Sequence, residues 1–378
     1  MKSFHRPLSI TRALPALLFF FLLFSCVTAV RAEEELGEPY RPRLETEYII
    51  PVIYYDGSLY ALLYGRMSSV LRDRELQFFL WADQEAGVFN YVLGYTRHNY
   101  KWSTGINLYS MPVSVGPVWA SGVWENQTGI SFLAAYRRTN ETRFTFRLQW
   151  EKFFPYFVAS SFPEDPDEGA LLGWEVKAVK DNFSFLAQKG TRAYISLGGA
   201  FPFLNTGYQY LKVEEDWRRY YPLNRRVSAI FSLRGGKIWG DYPSHRGFFI
   251  GGIQQANMSG LGNLVNQGTL WALADSTLRG YPLFRFSSDG FLLGNLELRA
   301  LLYPSSYYEL RFFGLIGTVF VDAGQVYKGS QALSAGLPAA WGAGLKFFIG
   351  GLLVGVDYAV PMEQGAMPRW HISLGEVF

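Results

Sequence analysis

The stretch Glu141-Thr142-Arg143-Phe144-Thr145-Phe146-Arg147-Leu148-Gln149-Trp150 alternates strictly. Thr142, Phe144, Phe146, Leu148 and Trp150 hold one face, and Glu141, Arg143, Thr145, Arg147 and Gln149 the other. A helix would scatter these residues around its circumference, whereas a strand, with its period of two, gives one apolar and one strongly polar face. The pattern returns at Val227, Ala229, Phe231 and Leu233 against Ser228, Ser232 and Arg234, and at Leu296, Leu298, Ala300 and Leu302 against Asn295, Glu297 and Arg299. It appears again at Trp341, Ala343, Leu345 and Phe347 against Gly342, Gly344 and Lys346, and at Trp370, Ile372 and Leu374 against Arg369, His371 and Ser373.

A soluble β-sandwich also alternates, so strand length and the flanking residues decide. Strands of about ten residues tilted by ~45° match the apolar thickness of a bilayer. Aromatic residues near strand ends (Trp81, Trp102, Trp150, Trp174, Trp239, Tyr303, Tyr358 and Trp370) suit interfacial girdles. The expected fold is therefore all-β: a transmembrane antiparallel β-barrel with apolar side chains toward lipid and polar ones toward the lumen. An open edge in lipid would leave backbone groups unpaired at several kcal/mol each, so the sheet must close. Candidate strands number about sixteen: seven before Pro163, four between 171 and 236 and five after Gly290, with 118–136 readable as one strand or two.

Composition agrees. The 378 residues are 49% hydrophobic and 17% aromatic but only 18% charged, and 31 phenylalanines, 24 tyrosines and 39 glycines favour strands over helices. After residue 32 no run approaches the ~18 unbroken apolar residues of a membrane helix. The formal charge of +3 is local in origin: removing Lys2, Arg6, Arg12 and Arg31 from the 35 Lys and Arg leaves 31 against 32 Asp and Glu. Nothing there suggests a nucleic-acid partner.

Lys2, Arg6 and Arg12 precede an apolar run from Ala13 to Phe24, with Val30 and Ala32 placed for cleavage before Glu33. This is the layout of a secretory signal peptide over residues 1–32. Residues 33–45 then form a short N-terminal extension and 46–378 the barrel, leaving no space for a separate periplasmic domain. Cys26 is the single cysteine, which excludes a disulfide framework; a lipoprotein processing site there fits poorly beside Phe24.

Enzymatic signals are thin. His5, His98, His245 and His371 show no metal-ligand spacing, and Asp241, Ser244 and His245 are near one another only in sequence. We expect no enzyme activity, no metal and no cofactor.

The strand pattern is interrupted longest over 240–289, and loops of such length are usually functional. The loop opens with Phe248-Phe249-Ile250-Gly251-Gly252 and closes with Leu278-Arg279-Gly280-Tyr281. Downstream, Glu297 lies on the polar face of its strand, and Phe320-Val321-Asp322-Ala323-Gly324 puts Asp322 on the face of Phe320. A planar guanidinium forks between two carboxylates where a lysine does so poorly, so Arg279 is suited to pair with Asp322 and Glu297 if the loop folds inward. Spacing alone equally allows a solvated Arg279 and unrelated lumen acids.

These motifs, with Asn295-Leu296-Glu297-Leu298-Arg299, Gly342-Ala343-Gly344-Leu345 and the terminal Phe378, resemble the bacterial surface antigen family. That is the superfamily of BamA-type outer-membrane assembly factors and two-partner-secretion translocators. The resemblance covers about 248–378 and implies a 16-stranded barrel in the bacterial outer membrane. It further implies a loop tip, Arg279-Gly280-Tyr281, docked inside against Asp322 and Glu297 beside Phe320 and Gly324, as a lock between loop and wall. A last strand from Trp370 through Gly375 to Phe378 resembles the signal by which such barrels are recognised for insertion, although Glu376 departs from it. The implied role is insertion or translocation of other proteins; a passive pore or a structural scaffold is the alternative. The implied partners are outer-membrane lipid, the barrel assembly machinery for its own insertion, and an unfolded protein client or a separate periplasmic subunit. Two departures stand against that reading. Polypeptide-transport-associated domains have no place before the barrel, and 253–277 lengthens the loop.

Overall fold

The computed structural model describes residues 42–374 apart from 56–58, 84–87, 116–122, 159–167, 183–188, 202–206, 244–245, 253–275, 283–284, 305–312, 335 and 350–351. The signal segment, Cys26, Gly375, Phe378 and most of the long loop's added segment fall outside the described residues. Among the described residues no helix is long and apolar enough to cross a membrane.

The strands are β1 Leu44–Tyr55, β2 Leu59–Ser69, β3 Arg74–Asp83, β4 Val88–His98, β5 Trp102–Val115, β6 Val123–Arg137, β7 Thr142–Val158 and β8 Gly169–Asp181. They continue as β9 Gly190–Phe201, β10 Gln209–Pro222, β11 Val227–Asp241, β12 Phe248–Gly251, β13 Ser276–Thr277 and β14 Phe286–Ser288. The last are β15 Gly290–Pro304, β16 Phe313–Lys328, β17 Gln331–Ala332, β18 Ala339–Ile349, β19 Leu352–Pro361 and β20 Arg369–Leu374. Each long strand pairs antiparallel with the next, β11 passing directly to β15 and β16 to β18. Among the described residues the wall of this transmembrane barrel thus comprises sixteen strands, and the described part of the 118–136 region lies in one of them, β6. The two-residue β17 only extends the β16 hairpin. The loop contributes its own small sheet, β12 pairing antiparallel with β14 and parallel with β13.

Burial is inverted relative to a soluble protein. On β15 Leu296 is 52% exposed while Glu297 beside it is 1% exposed. On β7 Phe144, Phe146 and Trp150 face outward and Gln149 and Glu151 are buried. Outward apolar side chains meet hydrocarbon, and inward polar ones meet one another, as a spanning barrel requires.

The lumen is not uniformly polar. Tyr64, Phe79, Val92, Tyr109 and Met111 form a buried inward cluster on β2–β5, with Tyr48, Leu62 and Trp81 against it. Trp81 therefore packs inside rather than in an interfacial girdle, and Trp150 and Trp174 sit mid-strand rather than near strand ends. Both faces of these first strands are apolar, which blurs their alternation.

Connections at one end stay at eight residues or fewer, 182–189 and 305–312 being the longest, whereas the other end carries 159–168, 329–338 and 242–289. Short turns face the periplasm in outer-membrane barrels. Leu44 pairs with Ser69 and Leu374 with Val354, so the first and last strands both have their termini at the short-turn end.

Candidate functional site

The loop enters the lumen on an apolar footing. Phe248 and Ile250 of β12, with Leu278 and Tyr281, form a buried cluster with Ile238 of β11, Phe291 and Leu293 of β15, Val326 of β16 and Ala340 of β18. Phe248 meets Phe291 edge-on with ring centroids 4.8 Å apart, a favoured aromatic geometry. Glycines make the space. A Cβ on Gly236 would collide with the Phe248 ring, and one on Gly324 with Leu293.

This footing aims Arg279 at the wall. Its Nε donates to Asp322 Oδ2 at 2.7 Å and its Nη2 to Asp322 Oδ1 at 2.8 Å, a two-point fork. Nη1 donates to Glu297 Oε2 at 2.8 Å and to Asp357 Oδ2 at 3.4 Å, and the Arg279 backbone N–H to Asp322 Oδ2 at 3.3 Å. The guanidinium carbon lies 3.2 Å from the centre of the Phe320 ring, so the cation is stacked as well as hydrogen-bonded. Gly280 follows with φ +90° and donates its N–H to His371 Nε2 at 2.8 Å. Tyr281 Oη donates to the Ala339 carbonyl at 3.4 Å.

Strand register gathers these partners. Glu297 and Phe320 are opposed on β15 and β16, and Asp357 and His371 on β19 and β20. Gly342 and Gly344 of β18 carry no side chain where Phe320 and Asp357 lie across them. Glu297 Oε1 also accepts from Arg299 Nε at 2.6 Å and Lys346 Nζ at 2.9 Å. Three cations (Arg279, Arg299 and Lys346) therefore face three carboxylates (Glu297, Asp322 and Asp357), all at most 1% exposed. Buried charges persist when paired and fully hydrogen-bonded, and this set is balanced.

The structure brings Arg279, Gly280, Tyr281, Glu297, Phe320, Asp322 and Gly324 into one place. Sequence reasoning missed Asp357, His371, Arg299 and Lys346; each lies on the polar face of an alternating strand, the one signal that could have found them. Trp370 stands apart, 70% exposed on the outer face, its ring 4.8 Å from that of Tyr358. Gly375 and Phe378 lie outside the described residues, as do Ser244 and His245.

A second tie was also missed. Arg246, near the start of the loop, donates from Nη2 to Glu151 Oε1 of β7 at 2.8 Å. Tyr109 Oη of β5 donates to Glu151 Oε2 at 2.9 Å, and Glu151 is 0% exposed. Lys212 of β10 lies over the Phe248 ring at 4.2 Å and donates to the Arg246 carbonyl at 3.4 Å. The loop is thus fastened at both ends: near its start to β7 and β10, with Tyr109 of β5 bracing Glu151, and near its close to β15, β16, β19 and β20.

Residues 88–378 match the Omp85 superfamily domain. No curated protein sequence matches the chain. Among solved structures, the chain resembles BamA from Haemophilus ducreyi lacking POTRA domains 1–3, with a TM-score of 0.61 and 15% identity over 88% of this chain and 70% of that one. It also resembles CdiB from Escherichia coli, with a TM-score of 0.52 and 13% identity over 92% of this chain and 67% of that one. At such identities the likeness bears on the fold alone. The domain match spans most of the polypeptide, and the chain is an integral outer-membrane β-barrel that belongs to the Omp85 superfamily.

Proposed function

We propose that this barrel inserts or translocates other proteins at the outer membrane, and that the docked loop holds the wall of β15–β20 in one shape while it does so. The observation that carries this reading is the Arg279 fork, which links an inserted loop to acids on β15, β16 and β19 in a water-poor site. A solute pore has no need of a loop fastened at two places within its lumen, whereas a wall that must move and return to register gains from such a fastening. Residues 1–32 would direct export, and the strand from Trp370 through Gly375 to Phe378 would be read by the barrel assembly machinery that inserts this protein. Client capture would fall to the barrel itself or to a separate periplasmic subunit. Depletion of the protein tests the reading: levels of other outer-membrane and secreted proteins should fall, and normal levels would overturn it.

A further inference from the structure

We infer that the lumen carries, at its short-turn end, a docking strip for an acidic segment of polypeptide; this rests on the insertion or translocation reading and names the chemistry of what that site would hold. A cavity of about 720 Å³ opens there, lined by eight lysines and arginines against three carboxylates. Pockets of ~300–1,000 Å³ take small ligands or short segments rather than folded domains. Each of the three acids is already engaged. Glu75 accepts from Arg66 Nη2 at 2.8 Å, Asp181 from Arg192 Nε at 3.1 Å and Asp216 from Arg218 Nε at 2.7 Å.

The remaining cations are left over. Among the described residues Lys101, Arg137, Arg143 and Lys180 have no ion-pair partner, and Lys177 rests on the Tyr194 ring at 3.7 Å. Arg137 and Arg143 are directly opposed across β6 and β7, where like charges destabilise a sheet and one carboxylate would relieve it. An arrangement that costs stability in the empty barrel, and is exposed to the cavity's water, is one that an anion would complete.

The shape of the strip selects the anion. Arg143 and Arg147 share the inward face of β7, four residues and about 14 Å apart along the strand, and the cations spread over β6–β8 and the 99–101 turn. A single phosphate cannot reach across that distance. An extended chain presents same-face side chains every ~7 Å and can place several carboxylates along it. Lys101 belongs to one of the short turns that face the periplasm, the compartment from which an unfolded client arrives.

The test uses the full barrel in zwitterionic nanodiscs and a fluorescent octapeptide of Asp and Glu, read by anisotropy. We expect saturable binding that weakens about tenfold or more in Arg137→Glu/Arg143→Glu and weakens between about 0.1 M and 1 M salt, as the screening length falls from ~10 Å to ~3 Å. An octapeptide of Lys should not bind. Heat-modifiable migration confirms that the variant has folded, and Arg137→Gln/Arg143→Gln repeats the measurement without added acids. Absence of binding, binding indifferent to both variants, or displacement by inorganic phosphate at matched charge would overturn the inference. Peptide binding with unchanged client levels on depletion would overturn the insertion or translocation reading and leave the strip standing; client loss without peptide binding does the reverse.

Discussion

Arg279 and Asp322, 43 residues apart in the chain, meet through two parallel hydrogen bonds of 2.7 and 2.8 Å, with neither side chain reached by solvent. Among the described residues the Asp322 carboxylate draws its hydrogen bonds from Arg279 alone, whereas that of Glu297 keeps Arg299 and Lys346 if Arg279 is lost. The pair is thus the fragile member of an otherwise shared cluster.

Arg279→Ala should therefore lower stability by about 3–5 kcal/mol, the usual consequence of leaving a buried charge unpaired. Urea unfolding of the barrel in lipid vesicles measures it. Arg279→Lys should fall between the two, because it restores charge without the fork. A lysine variant as stable as the parent would show that the fork's geometry contributes nothing.

Gly280→Ala should be destabilising for two separable reasons. Its φ of +90° strains any side-chain-bearing residue, and the new Cβ would lie 2.9 Å from that of Ala340. Adding Ala340→Gly removes the contact but not the strain, so the double variant should recover part of the loss. Full recovery in a thermal melt would assign the whole effect to crowding.

The second tie predicts coupling between Arg246 and Glu151. Glu151→Gln and Arg246→Ala should each loosen the start of the loop, and a double-mutant cycle should return an interaction of roughly 0.5–3 kcal/mol. The same variants should expose the 246–252 segment to added protease sooner. Additive single effects would show that the 2.8 Å contact does not hold the loop.

Planar-bilayer recording separates a fastened lumen from an open pore. The parent protein should give a small, flickering conductance that rises in Arg279→Ala. A large, steady conductance unchanged by that substitution would support passive permeation instead.

Much of this was legible in the sequence where one face of a strand is apolar and the other polar. The stretch 141–150 and its later counterparts mark the wall, and Arg279 with Glu297 and Asp322 could be grouped by chemistry. The first strands were less legible, because Leu62, Tyr64, Phe79 and Trp81 turn apolar side chains inward next to apolar neighbours facing out. Asp357 and His371 join the site only through the register of β19 and β20, at 78 and 91 residues from their partners in the loop. Glu151 and Arg246, 95 residues apart, meet across the lumen, and no local pattern encodes that.

The order of the parts along the chain gives Arg279 a further property. It precedes every strand on which it docks, and its surroundings are complete only when β20 has delivered His371 behind Gly280. The guanidinium has its fork on Asp322 and its bond to Glu297 from β15 and β16 alone, and the last hairpin adds Asp357 and His371. A chain ending before residue 369 would keep all three carboxylates of the socket but leave the Gly280 N–H without its imidazole acceptor, so the last strand closes the backbone of the loop tip rather than the ion pair itself.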